Sequence, residues 1–253
     1  MTQDNKEESV AETFISHLVE LRDRIVRAGG VMLLVFVCMM PWSGQIYDIL
    51  AHPMMTALPV GAKMIATGVL TPFMVPLKVT LLAAFVVTLP WILYQAWAFI
   101  APGLYAHEKK LVAPLVVSST ILFVAGIAFC YFFVFNVVFK VINEWAPKSI
   151  NVAPDIESYF DFALTMFIAF GLTFEVPIVV VVLVRMGLVS VAKLKEFRPY
   201  IIVGAFVVAA IVTPPDATSM LMLAIPLWLL FEVGLLVAPL FVKLTTAPEE
   251  ESA

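Results

Sequence analysis

Six long apolar runs separated by short polar stretches constrain this chain more than any other feature. They cover Ile25–Trp42, Phe73–Ile100, Leu111–Val138, Phe160–Val184, Ile201–Val212 and Met220–Val242. A helix rises about 1.5 Å per residue and the hydrocarbon core of a bilayer is about 30 Å thick, so one crossing takes roughly 20 apolar residues. The runs are continuous rather than alternating, which excludes the strands of an outer-membrane barrel. A water-soluble core needs polar residues to cover it, yet 62% of the 253 residues are hydrophobic and 13% charged, against about a quarter charged in an ordinary soluble domain. The sequence therefore predicts an all-α, polytopic membrane protein with six transmembrane helices and the lipid bilayer as its solvent.

Lysine and arginine in the short connections set the orientation. Residues 1–27, 101–112, 185–200 and 242–253 hold eleven of them, and the alternate segments 43–71, 139–159 and 213–219 hold three. Both termini are expected in the cytoplasm. The first 24 residues carry acids and no early apolar segment with a small-residue cleavage site, so they do not read as a removable signal peptide. Val10, Phe14, Leu18, Leu21 and Ile25 recur at helical spacing. Three parts follow: an amphipathic N-terminal helix over 1–24, a six-helix domain over 25–242 and an acidic tail over 243–253. Ser9 with Glu12 fits a capping box that would start the first helix.

Pro76, Pro90, Pro114, Pro177 and Pro226 fall within or at the edge of predicted helices. Each interior proline removes a backbone hydrogen bond and bends the rod, so the bundle is expected to be curved and concave. The run at Ile201–Val212 gives only about 18 Å of helix, so either the bilayer thins beside it or that helix pair sits shallow. The outer segment from Ser43 to Thr71 is too apolar to float in water and reads as one or two short helices on the rim. Pro53 there, and Asp216 in TPPD, are expected to serve shape, with Asp216 able to cap the last helix.

Composition removes whole classes of function. A net charge of −4 offers no basic footprint for nucleic acid. Cys38 and Cys130 sit inside apolar runs without metal-ligand spacing, so neither disulfide nor metal is expected. His107 and Glu108 begin an HExxH pattern, but Leu111 stands where the second histidine belongs. GxSxG, Walker and GxGxxG motifs are absent. No catalytic residues, cofactor or enzymatic activity are expected.

Charges at membrane depth say more, because their cost makes each a functional hypothesis. Glu175 in TFEVP and Glu232 in LFEVG fall near the midplane by residue count, while Lys78 lies close enough to an edge to snorkel outward. Glu175 either hydrogen-bonds within the bundle or meets a polar group on another protein's membrane helix. At the cytoplasmic headgroup level stand Glu20 in HLVELRDR and Glu108 in FIAPGLYAHEKK. By its residues alone Glu20 reads as a helix-surface pair with Arg24 four residues on, and Glu108 as a solvated loop charge.

HLVELRDR, FIAPGLYAHEKK, TFEVP, RPYIIVGAFVV and TPPD, in this order from about Phe14 to Phe241, resemble the TatC family, the multispanning subunit of the twin-arginine protein translocase, and are similar to its proteobacterial form. Lys109 and Lys110 stand where relatives often carry arginine. The resemblance implies a receptor for twin-arginine signal peptides in a system that exports folded proteins across the bacterial plasma membrane using the proton motive force. It implies that Glu20 and Glu108 take the arginine pair, that Phe99 and Leu104 shape the apolar part of the site, and that Arg22 orders the helix or its acidic neighbours. It also implies single-span partners, TatA and TatB, along spans five and six, Glu175 touching one of them, and copies of this chain within a hetero-oligomeric complex. A proton-coupled small-solute transporter is the alternative, but the sequence shows no internal repeat with paired broken helices. A passive scaffold would tolerate loss of Glu20 and Glu108.

Overall fold

The computed structural model describes residues 4–58, 63–100, 112–145, 153–213 and 217–243. Helix α1 (Asp4–Met39) passes through a short 3₁₀ turn, Met40–Trp42, into α2 (Ser43–Ala57). Then come α3 (Thr71–Ile100) and α4 (Val112–Phe129), which continues through a π-helical turn at Cys130–Val134 into α5 (Phe135–Trp145). Helix α6 (Ile156–Arg185) is followed by the short α7 (Val191–Glu196), α8 (Arg198–Val212) and α9 (Ala217–Lys243). Among the described residues there is no strand, only an isolated bridge between Ile65 and Asp155. The all-α expectation holds.

Among the described residues, five helical stretches are long and apolar enough to cross a membrane: Ile15–Thr56, Thr71–Ile100, Val112–Val141, Ile156–Arg185 and Ala217–Leu240. The sixth apolar helix, α8, has 15 residues, roughly 22 Å at the helical rise. Helix α1 begins at Asp4, so Ser9 and Glu12 lie inside it rather than capping it. That corrects the capping-box start. Asn5, Lys6, Glu7 and Glu8 tolerate helix well enough for it to run on past Ser9.

Helix α6 is the hub. It packs on α9, α4 and α3, and its Phe160, Phe167 and Phe170 are buried with Phe135 of α5 in an aromatic core. Close approach depends on small residues, as is usual where helices pack in lipid. A side chain at Gly126 of α4 would strike the Phe170 backbone, and one at Gly171 of α6 would strike the Phe123 ring. Gly187, with φ of 68°, turns the chain out of α6 where a Cβ would be strained. By contrast, no described side chain of α1 is buried; the helix lies along α3 at the edge of the bundle.

Pro53 lies inside α2, not in a loop, and is itself buried. Lacking an N–H, it leaves the Ile49 carbonyl without its helical donor. The Tyr131 hydroxyl donates to that carbonyl at 2.8 Å, and Tyr159 donates to the neighbouring Leu50 carbonyl at 2.8 Å. The proline thus exposes acceptors through which α2 is fastened to the π-helical turn and to α6.

A second fastening joins the segment before α3 to the start of α6. Ile65 accepts from the Ile156 N–H at 2.8 Å and donates to the Pro154 carbonyl at 3.0 Å. Asp155 caps α6 by accepting from the Ser158 N–H at 3.0 Å, and its other oxygen accepts from the Thr67 hydroxyl at 2.8 Å. The Ser158 backbone donor, helped by Thr67, holds the Asp155 carboxyl at about 2, below its ordinary 3.8. One step further in, Lys78 of α3 donates to Asp161 at 2.8 Å and to Glu157 at 3.3 Å on α6. Lys78 is thus tied across to α6 rather than reaching outward, because two acids face it at matching depth.

Candidate functional site

Glu20 lies on the α1 face that meets the last turns of α3. Its Oε1 accepts from Arg24 Nη2 at 2.6 Å and from Arg24 Nε at 2.9 Å, the two parallel donors of a guanidinium fork. Arg24 Nη1 reaches on to Gln95 Oε1 of α3 at 3.4 Å. The second carboxylate oxygen, Oε2, is 3.9 Å from His17 Nδ1, and the His17 ring stacks on Phe99 with centroids 4.6 Å apart. Glu20 and Phe99 are therefore brought to one seam, joined through His17. The seam is half dry: the side chains of Glu20 and Arg24 are 37% and 21% exposed, and Gln95 is buried.

Arg22 does not join them. Its side chain is 69% exposed and donates to its neighbour Asp23 at 2.8 Å and 3.0 Å. Successive helix positions are 100° apart, which carries Arg22 off the face that Glu20 and Arg24 share. Leu104, Glu108 and Asp216 lie outside the described residues.

Glu175 is buried within the chain, between α6, α4 and α3. The Ser119 hydroxyl of α4 is its hydrogen-bond partner, and Ser119 in turn accepts from Trp97 Nε1 of α3 at 3.1 Å. Its Oε1 is buried without a hydrogen bond. An acceptor left dry in this way costs free energy unless something supplies a donor. Glu232, read from the sequence as a midplane carboxyl hydrogen-bonded within the bundle, accepts from Arg198 Nη2 at 2.6 Å, an ion pair that pins the first residue of α8 to the middle of α9. Arg198 opens the short helix and so reaches a level on α9 that residue counting put deep inside.

Sequence reasoning missed His17, Gln95, Trp97 and Ser119. His17 precedes Glu20 by three residues and Gln95 precedes Phe99 by four, so helical spacing from the two predicted residues was the available signal. An apolar groove of about 420 Å³ opens between α4, α6 and α9, but none of Glu20, Arg22, Phe99 or Glu175 lines it. The charged site is a surface seam in which one carboxylate meets a guanidinium and, at longer range, an imidazole stacked on a phenyl ring.

Residues 16–226 match the family described as TatC: Sec-independent protein translocase protein (TatC). The Sec-independent protein translocase protein TatC of Haemophilus influenzae is 50% identical over 228 residues, covering 90% of this chain and 89% of that protein. The protein of the same name from Escherichia coli K12 is 44% identical over 236 residues, with 92% of each covered. A crystal structure described as the twin arginine translocase receptor TatC superposes with a TM-score of 0.78 at 34% identity, over 88% of this chain and 98% of that one.

Proposed function

This chain belongs to the TatC family of Sec-independent protein translocase proteins, and we propose that it is the part of that translocase which receives twin-arginine signal peptides at the cytoplasmic ends of α1 and α3. As a family member it is a multi-pass membrane protein of protein transport, working in a complex with other Tat subunits. The observation that carries the finer reading is the half-dry seam at which Glu20, His17 and Phe99 meet. A carboxylate partly withdrawn from water binds a guanidinium more strongly than a solvated one, and an aromatic face beside it favours a planar cation. Similarity to a protein described as a twin arginine translocase receptor supports the same role.

Glu108 supplies the second carboxylate, Leu104 the neighbouring apolar contact, and Arg22 charge balance along α1. Both termini face the cytoplasm of a bacterium with this chain in its inner membrane, and export of folded proteins draws on the proton motive force. TatA and TatB dock along α8 and α9, and contact of one of them with Glu175 requires its polar side chain to enter between the helices that bury that oxygen. Several copies of this chain work within the complex. Pro53 and Asp216 serve shape. The test is site-specific crosslinking of a twin-arginine peptide from positions 20, 99 and 108 of the full chain. Crosslinks at all three, lost when the peptide carries paired alanines, are expected; labelling that ignores the arginine pair refutes the reading.

A further inference from the structure

The guest that this site is built to take is already mimicked by a residue of the chain. Arg24 lays its Nε and Nη2 on Glu20 Oε1 at 2.9 Å and 2.6 Å, the contact a signal-peptide arginine would make. An exposed pair four residues apart on a helix is held weakly and swaps freely with water. This one is different in setting: the Arg24 side chain is only 21% exposed, and its remaining arm points across to Gln95 on another helix. The acceptor that a guest needs is thus occupied by a guanidinium with a second acceptor within reach.

We propose that Arg24 is a resident competitor for the Glu20 carboxylate, displaced onto Gln95 when a guest arginine binds, and that this exchange makes the site select arginine over lysine. The inference rests on the receptor reading above and deepens it. Exchange of one guanidinium for another conserves the fork on Glu20, so an arginine guest meets little opposition. A lysine guest offers a point charge in place of a planar fork and cannot match what it evicts. Gln95, buried at 5% exposure and 3.4 Å from Arg24 Nη1, receives the displaced side chain so that it need not be stranded in a half-dry seam. Specificity then comes from the incumbent as much as from the pocket, a difference of affinities set by what must be removed.

The test measures binding of a synthetic twin-arginine signal peptide, and of its twin-lysine counterpart, to the full chain assembled in its translocase complex in lipid nanodiscs. Arg24→Ala should tighten the twin-arginine peptide by about threefold to tenfold, and tighten the twin-lysine peptide more, so that discrimination narrows. Gln95→Leu should weaken the twin-arginine peptide, and the Arg24→Ala, Gln95→Leu double variant should bind like Arg24→Ala alone. A gain in affinity cannot arise from misfolding, which keeps the first arm decisive. If Arg24→Ala leaves affinity and discrimination unchanged or lowers affinity, while Glu20→Gln still abolishes binding, the competitor role is overturned and the receptor reading stands. If Glu20→Gln leaves binding untouched, both fall together.

Discussion

Where α3 and α6 begin, polar side chains reach between elements remote in the chain: Thr67 meets Asp155 across 88 residues, and Lys78 meets Asp161 across 83. Where α3 ends, the charged pairs among the described residues are local, Arg22 with Asp23 and Arg24 with Glu20, and the contacts between helices there are Arg24 to Gln95, Trp97 to Ser119 and the His17–Phe99 stack. Remote pairs fix the relative position of helices, because breaking one requires two elements to separate. Local pairs leave the helix-to-helix geometry to packing, and each can be traded for a guest without unfolding anything. One end of the bundle is a fastening and the other is a surface able to exchange partners.

That contrast can be broken most sharply with a pair of substitutions. Glu20→Gln should lower affinity for a twin-arginine peptide by about tenfold or more with an unchanged thermal midpoint, while Lys78→Met should lower the midpoint and leave affinity alone. Isothermal titration and thermal unfolding in the same nanodiscs read both; an effect of Lys78→Met on affinity would join the two ends. A smaller effect is expected from pH at the fastened end. The Asp155 carboxyl is held at about 2 against an ordinary 3.8, so its ionised form is favoured in the folded chain. Its stabilisation is complete above the ordinary value and is lost as pH falls towards 2. The midpoint difference between the native chain and Asp155→Asn should be constant from neutral pH down to about 5 and shrink below the ordinary carboxylate value. Calorimetry across that range checks it. The smallest effect belongs to Arg22→Gln: with the side chain 69% exposed and bonded only to its neighbour, peptide affinity should change by about twofold at most, measured beside Glu20→Gln.

What the sequence disclosed and what it hid divide along the same physical line. Apolar runs are local statistics, so the helices α3, α6 and α9 and the shortness of α8 were legible from length and composition. The rim helix α2 was legible because Ile46, Ile49, Leu50 and Met54 are too apolar for a loop. Partners across the bundle were not. Nothing near Lys78 points to Glu157 or Asp161, and nothing near Glu232 points to Arg198, since those pairings are set by how the helices stack. Matching charges by distance from the ends of predicted helices would have found the first pair, but not the second, because α8 is too short for counting from both ends to agree. Of the site, Glu20 and Phe99 were named through the family resemblance and lie on one seam, whereas the ring of His17 that links them is silent in composition.

At the junction between the segment before α3 and α6, the bonds of Ile65 itself are made by main-chain atoms, an N–H and a carbonyl from each side, beside the side-chain bond of Thr67 to Asp155. Those two main-chain bonds carry no side-chain signature, so alanine at position 65 leaves them in place, whereas replacing Thr67 or Asp155 removes a bond of the same junction. Ile156 occupies the first position of α6, where an imino acid fits a helix without penalty. Proline at that one place deletes the shared donor, and comparison with Ile156→Ala, which trims the same side chain from the core but keeps the N–H, makes an otherwise invisible stitch accessible to genetics.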